Sequence, residues 1–201
     1  MPSSPIVGSC LALLLAACGG SSSPAAVTLT GNLNGQPMPA LHAFAAVQTT
    51  SNAGLNGYAS VPELGVVFTS DASFSCDQVF SQPPKSARTV RMGLTRLANK
   101  AWAVPDGLGT FAADVQDTSA GGSEGNHVLV EYGESDASCN VIKSGRALAV
   151  NGAVTLSKLS TLPGNAVEGS FFFFFDSGDQ ITGQFSTTIC PTSPAAAGLC
   201  R

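Results

Sequence analysis

The fold is decided by residues 167–190, which read VEGSFFFFFDSGDQITGQFSTTIC. Two runs rich in phenylalanine, isoleucine and threonine, which favour β-strands, flank the short polar segment DSGD. A glycine inside such a segment is typical of the turn between two antiparallel strands. We therefore predict a β-hairpin with a two-residue turn at Ser177-Gly178.

The register of this hairpin decides which phenylalanines are buried. A two-residue turn places Phe172 opposite Gly183 and Phe174 opposite Ile181. The apolar face predicted from this register consists of Phe172, Phe174, Ile181, Phe185 and Ile189. The other face carries Phe171, Phe173 and Phe175. If exposed, these three rings form an apolar patch of the kind that marks a contact site, so they are a candidate binding patch. The alternative is that another segment covers them.

The rest of the chain also favours strands. Charged residues make up only 11% of the sequence, against about 25% in typical soluble domains, and 22 residues are glycine. Residues 27–33 and 89–95 alternate between apolar and polar side chains, residues 128–132 form a further predicted strand, and Asn34-Gly35 is a strong hairpin turn. Pro37 follows that turn and predicts an edge strand. We predict an all-β domain, a mainly antiparallel β-sandwich or barrel-like structure.

An apolar run near the amino-terminus has the length of a secretory signal. Residues 6–17 (IVGSCLALLLAA) are too few to span a bilayer, and Cys18 and a Gly/Ser-rich segment follow them. Leu15-Ala16-Ala17-Cys18 resembles the lipobox of bacterial lipoproteins. The resemblance implies cleavage before Cys18 and attachment of membrane lipid (diacylglycerol and palmitate) to it. The alternative is a buried helix that ends in cysteine. The sequence also departs from the usual signal peptide, which begins with positively charged residues, because its first lysine or arginine is Lys85.

The resemblance divides the chain and gives it a location. The segments are a cleaved signal peptide (1–17), a flexible tether (18–26), one β-rich domain (27–190) and a C-terminal tail (191–201). Lipoproteins are exported to the cell envelope. Because Gly19 rather than aspartate follows the cysteine, the common sorting pattern implies the outer membrane of a Gram-negative bacterium.

Two further motifs carry a second resemblance. Gly169-Ser170-Phe171 and Phe175-Asp176-Ser177-Gly178-Asp179 are followed by Gly183, Phe185 and Cys190, and Asn34-Gly35 lies in the first hairpin. This pattern resembles predicted lipoproteins of Gram-negative bacteria that have no assigned activity. It implies a β-rich exported domain and no site residues.

Cysteine usage predicts a disulfide framework. If Cys10 is removed with the signal peptide and Cys18 is acylated, four cysteines remain in an oxidising compartment. Three pairings are open, and we predict Cys76–Cys139 with Cys190–Cys200, because the last two are near in sequence. No two of these cysteines have the spacing of a zinc knuckle, so no metal is predicted.

The charges are sorted along the sequence. The net charge of −4 argues against nucleic acid as a partner. Bases occur without acids in residues 85–100, and acids without bases in residues 106–136. One interpretation is a basic stripe for an anionic partner. The favoured one is that neighbouring strands pair opposite charges.

The sequence contains little that suggests catalysis. Residues 121–125 match G-x-S-x-G, but the only later histidine is His127. Asp176 and Asp179 are predicted to be turn residues rather than calcium ligands. We predict no catalytic residue and no cofactor, and a function in binding an envelope protein or glycan. The alternatives are a structural component of an envelope assembly and, more weakly, a hydrolase that uses carboxylates from residues 106–136.

Overall fold

One curled β-sheet makes up the computed structural model of the chain, which describes residues 26–39, 42–52, 59–71, 74–76, 85–113, 123–142, 145 and 147–191. Its strands are β1 (Ala26–Leu33), β2 (Gln36–Pro37), β3 (His42–Asn52), β4 (Ala59–Thr69), β5 (Arg88–Ala98), β6 (Ala101–Ala103), β7 (Gly109–Ala113), β8 (Gly125–Glu134), β9 (Ala147–Lys158), β10 (Ala166–Phe175) and β11 (Gln180–Thr188). No α-helix occurs among these residues, so the all-β prediction is confirmed. The predicted signal peptide, most of the tether and most of the tail lie outside the described residues.

The sheet curls until strand β3, at one edge, contacts residues next to β11, near the other edge. The strand order is β2-β1-β11-β10-β9-β7-β8-β5-β4-β3, with β6 beside β5, and only the β7–β8 pair is parallel. A parallel bridge joins Ala45 of β3 to Ile189, just beyond β11. The Thr187 hydroxyl also donates a 2.7 Å hydrogen bond to the Ala43 carbonyl. These contacts between distant strands give the sheet its barrel-like shape.

The sheet has two ends, which the strand pairings define. Ala26, Ser186, Glu168 and Lys158 form one row across β1, β11, β10 and β9 at what we name the upper end. The turns at Asn34-Gly35 and residues 176–179 lie at the opposite, lower end.

The core fills the inside of the curled sheet. Phe68, Phe171, Phe173 and Phe185 are all buried, and the Phe68 and Phe171 rings stack with centroids 5.2 Å apart. Aliphatic side chains from the inner faces of β4, β5 and β8 surround these rings, notably Leu64, Val66, Val90, Met92, Leu94 and Val130. Aromatic burial at this density supplies much of the hydrophobic stabilisation of the domain.

The last hairpin forms as predicted, but its loop contains three residues instead of two. The Phe175 amide donates to the Asp179 carbonyl and the Gly178 amide donates to the Phe175 carbonyl, which encloses Asp176, Ser177 and Gly178. Gly178 has φ +87°, the left-handed conformation that ends a three-residue loop built on a type I turn. Phe171, rather than Phe172, therefore lies opposite Gly183.

This one-residue shift reverses the predicted faces, since successive side chains in a strand point to opposite sides. Phe171, Phe173 and Phe175 are core residues, so the prediction that they form a binding patch is wrong. Phe172 and Phe174 were predicted to be buried and are instead 50% and 43% exposed. The predictions for Ile181, Phe185 and Ile189, which are buried, are confirmed.

Gly183 shows why the register is fixed. A Cβ atom at this position would lie 2.7 Å from the Phe171 ring and 2.1 Å from the Thr28 carbonyl oxygen. Only glycine leaves room for the ring and the neighbouring strand at this distance.

The two turns at the lower end are joined to each other. Asn34 and Gly35 have φ values of 52° and 69°, which confirms the predicted Asn-Gly turn. The Asp179 carboxylate accepts hydrogen bonds from the Asn34 amide (2.6 Å) and the Gly35 amide (3.3 Å). Asp176 accepts one from the Leu148 amide. Both aspartates thus act as turn residues, as predicted.

Removing the Asp179 carboxylate should loosen the first hairpin. We expect Asp179→Ala to lower the free energy of unfolding by about 1–2 kcal/mol, because two backbone amides lose a charged acceptor. Asp179→Asn keeps one oxygen acceptor and should cost less. Urea denaturation measures both values. An Asp179→Ala protein as stable as the wild type would show that the two turns are not coupled.

An arginine closes the lower end. The Arg88 guanidinium donates 2.9 Å hydrogen bonds to the Leu33 and Pro37 carbonyls and to the Tyr132 hydroxyl, and it pairs with Glu134. Burial and the hydrogen bond to Glu134 raise the pKa of Tyr132. Burial opposes the charge of Arg88, but the bonds to Tyr132 and Glu134 outweigh it and raise its pKa. The cluster therefore holds the first hairpin across the end of the core.

The predicted disulfide pairs, Cys76–Cys139 and Cys190–Cys200, are wrong. The structure joins Cys76 to Cys190, with a sequence separation of 114 and a Cα–Cα distance of 5.3 Å. The curl of the sheet explains this pairing: the Cys190 amide donates to the Ala45 carbonyl of β3, and Phe74 packs on the neighbouring Phe44 with ring centroids 5.3 Å apart. Strand closure, not nearness in sequence, brings the two cysteines together.

Candidate binding surface

A groove runs over the outer face of β1, β11, β10 and β9. Its polar lining consists of Thr28, Thr30, Thr155, Ser170, Thr182 and Gln184. This outer groove is shallow and open: two overlapping parts have volumes of about 440 and 450 Å³, and a smaller lower part of about 190 Å³ adjoins Phe172 and Phe174. Successive side chains along each strand point to opposite faces of the sheet. The apolar neighbours of these polar side chains therefore point into the core and leave a polar outer face.

Several polar groups in the outer groove have no partner within the described part of the chain. The side chains of Thr28, Thr30, Ser170 and Gln184 make no hydrogen bond to other described residues. In contrast, the Thr182 hydroxyl donates to the Phe171 carbonyl at 3.0 Å, and Thr155 shares a 3.1 Å hydrogen bond with Thr110. The hydroxyls of Thr182 and Thr155 are therefore held by other residues of the sheet. The other hydroxyls and the Gln184 amide can bond to a ligand.

Two aromatic rings border the lower part of the outer groove. Phe172 and Phe174 lie on one face of β10, with ring centroids 6.5 Å apart and an interplanar angle of 78°. Their cross-strand neighbours on β11 are Thr182 and Gln180. Because the alternate phenylalanines of the same strand are buried, the backbone that carries both rings is firmly held.

The outer groove has little charge. Neither the part lined by Thr30 and Gln184 nor the part lined by Phe172 and Phe174 contains an ionisable side chain. Glu168 borders the upper part and pairs with Lys158 at 3.4 Å. A ligand recognised here is therefore recognised by hydroxyl and amide hydrogen bonds and by contact with rings.

Three arginines of the basic segment have acidic partners. Arg88 pairs with Glu134, Arg91 with the buried Glu63, and Arg96 with Asp106. Gln48 also donates to Glu63. The interpretation that neighbouring strands pair opposite charges is therefore confirmed for Arg88 and Arg91, whereas the partner of Arg96 lies in the connection between β6 and β7.

Three of the residues considered for catalysis, His127, Asp106 and Asp136, do not meet in one site. The His127 Nε2 atom contacts the Ser123 carbonyl oxygen at 2.8 Å, and its ring packs against Trp102. Asp106 pairs with Arg96 near the upper end, whereas Asp136 is at the lower end, where hydrogen bonds from Asn140 and Ser138 lower its pKa. No group of three or more metal-ligating side chains occurs among the described residues.

No protein-family model, curated protein or solved structure matches the chain. In the part of the chain that the structure describes, no helix has the length and apolar character needed to cross a membrane. The outer groove therefore has to be interpreted from its own chemistry.

Proposed function

We propose that this protein is a lipid-anchored lipoprotein of the cell envelope, in the outer membrane of a Gram-negative bacterium, and that its outer groove binds a neutral glycan. The observation that carries the proposal is the combination, in a groove with little charge, of two exposed rings with unbonded hydroxyl and amide groups. A sugar ring presents both C–H faces, which pack on phenyl rings, and hydroxyls, which exchange hydrogen bonds with threonine, serine and glutamine.

The anchor is supported by the lipobox-like Leu15-Ala16-Ala17-Cys18. Strand β1 begins at Ala26, eight residues after Cys18, and a segment of that length reaches at most about 25–30 Å. The domain would therefore remain close to the membrane surface, where envelope glycans are present.

A protein partner is the main alternative, because exposed phenylalanines also occur in protein interfaces. The polar neighbours of the rings favour a glycan over a partner with a large apolar contact area: Phe172 and Phe174 lie beside the hydroxyl of Thr182 and the amide of Gln180. An envelope-assembly role would require such an area or a large complementary surface.

Removing the two rings should weaken glycan binding. We expect Phe172→Ala/Phe174→Ala to weaken the affinity for a neutral oligosaccharide by about 5- to 150-fold, since each ring would lose a stacking contact of about 0.5–1.5 kcal/mol. The measurement is calorimetric titration with tetrasaccharides of glucose, mannose, galactose and N-acetylglucosamine. Val141→Ala, an exposed apolar side chain at the lower end, is the matched control.

Two results would contradict the glycan proposal. One is that none of the four tetrasaccharides binds the wild-type protein. The other is that the double variant binds as tightly as the Val141→Ala control while both remain folded, as judged by their thermal transitions. Capture of a single envelope protein that depends on Phe172 and Phe174 would instead support the protein-binding alternative.

A further inference from the structure

The upper end of the sheet is where the chain enters the domain. Ala26, the first residue of β1, lies in one row with Ser186, Glu168 and Lys158. A chain anchored through Cys18 would therefore approach the domain from this end. The inference below rests on the proposed anchor.

Two exposed leucines lie at the same end. Leu108 is 61% exposed and Leu162 is 64% exposed, the highest values among the large apolar side chains that the structure describes. Leu108 directly precedes Gly109, which pairs with Leu156 near the top of β9, and Leu162 lies in the connection from β9 to β10. Both are therefore on loops that project from the upper end.

Charge does not oppose a contact between the upper end and lipid headgroups. Lys158 pairs with Glu168 and Arg96 with Asp106, so these charges cancel.

We propose that the upper end rests on the lipid bilayer, with Leu108 and Leu162 inserted at the level of the headgroups. Two leucines bind a membrane only weakly on their own. A short tether keeps them next to the bilayer, and this raises their effective concentration enough to orient the domain. In this orientation the outer groove lies beside the membrane, and Phe172 and Phe174 are at the end of the groove that is farther from the lipid.

The chain provides its own probe for this orientation. Trp102 is the single tryptophan, and it lies partly exposed on β6, which pairs with the upper part of β5. The full-length lipoprotein is reconstituted in phosphatidylcholine vesicles that carry brominated lipid. Flotation reports whether the protein is anchored, and quenching of Trp102 fluorescence reports whether the upper end touches the lipid. Mass spectrometry of the floated protein identifies the residue that carries the lipid.

We expect Trp102 to be strongly quenched in the floated protein. Leu108→Asn/Leu162→Asn should float equally well and lose most of the quenching. The matched control, Val141→Asn/Ile142→Asn, exchanges two exposed apolar residues at the lower end and should keep it. Floating protein with unquenched Trp102, or equal losses in both double variants, would overturn the orientation alone. Protein that does not float, or that lacks lipid on Cys18, would overturn the anchor and the orientation with it.

Discussion

Phe173→Ala is expected to lower the free energy of unfolding by about 3–5 kcal/mol, the range for truncating a buried phenylalanine. Phe173 is 0% exposed and packs within the core, whereas the next residue, Phe174, is 43% exposed. Phe174→Ala should therefore cost less than about 1 kcal/mol. Because both changes remove the same ring from the same strand, strand propensity cancels and urea denaturation compares burial directly.

A milder substitution keeps the comparison of the two positions possible if Phe173→Ala does not fold. Phe173→Leu keeps most of the apolar volume and should cost only about 1–1.5 kcal/mol, still more than Phe174→Leu. Equal losses at the two positions would contradict the structure, because they would mean that the outer face of β10 is covered. A larger loss of unfolding free energy at Phe174 than at Phe173 would support the register expected from a two-residue turn.

Removing the Cys76–Cys190 bridge is expected to be the other large effect. The bridge spans 114 residues, for which the chain-entropy model gives an upper value of about 5 kcal/mol and experience with native disulfides about 2–5 kcal/mol. It also fastens the 74–76 segment to the place where β3 meets the end of β11. Cys76→Ser/Cys190→Ser should therefore show a much lower melting temperature than the wild type under non-reducing conditions.

Peptide mapping tests the connectivity itself. We expect a disulfide-linked peptide pair that contains Cys76 and Cys190. Cys139 is also disulfide-bonded. We expect Cys200 as its partner, because Cys10 and Cys18 belong to the predicted signal and lipid site. A peptide joining Cys76 to Cys139, or a double variant as stable as the wild type, would contradict this arrangement.

The hairpin illustrates what the sequence could and could not predict. The two strands and the position of the turn follow from composition and alternation in residues 167–190. The segment Asp176-Ser177-Gly178-Asp179 fits both a two-residue and a three-residue loop, and local propensity does not choose between them. The choice depends on bonds to other strands, such as those that Asp176 and Asp179 accept from Leu148 and Asn34. One residue of loop length then exchanged the buried and exposed phenylalanines.

The disulfide and the outer groove share this dependence on long-range pairing. Cys190 meets Cys76 only because the sheet curls and joins Ala45 to Ile189. The groove needs β1 to pair with β11, which places Thr28 beside Gln184 although they are far apart in sequence. The alternation of polar and apolar residues predicts that Ser170, Thr182 and Gln184 lie on an exposed face. It does not predict which strands are neighbours in the sheet.

Hydroxyl-radical footprinting of the full-length protein tests whether the outer groove is a binding surface. The labelling of each phenylalanine is compared between protein in isolated envelopes and protein purified in detergent. We predict strong labelling of Phe172 and Phe174 in the purified protein and protection of both in envelopes, with Phe171, Phe173 and Phe175 unlabelled in either state. Equal labelling of Phe172 and Phe174 in the two states would show that nothing binds the groove in the envelope and would contradict its role as a binding surface.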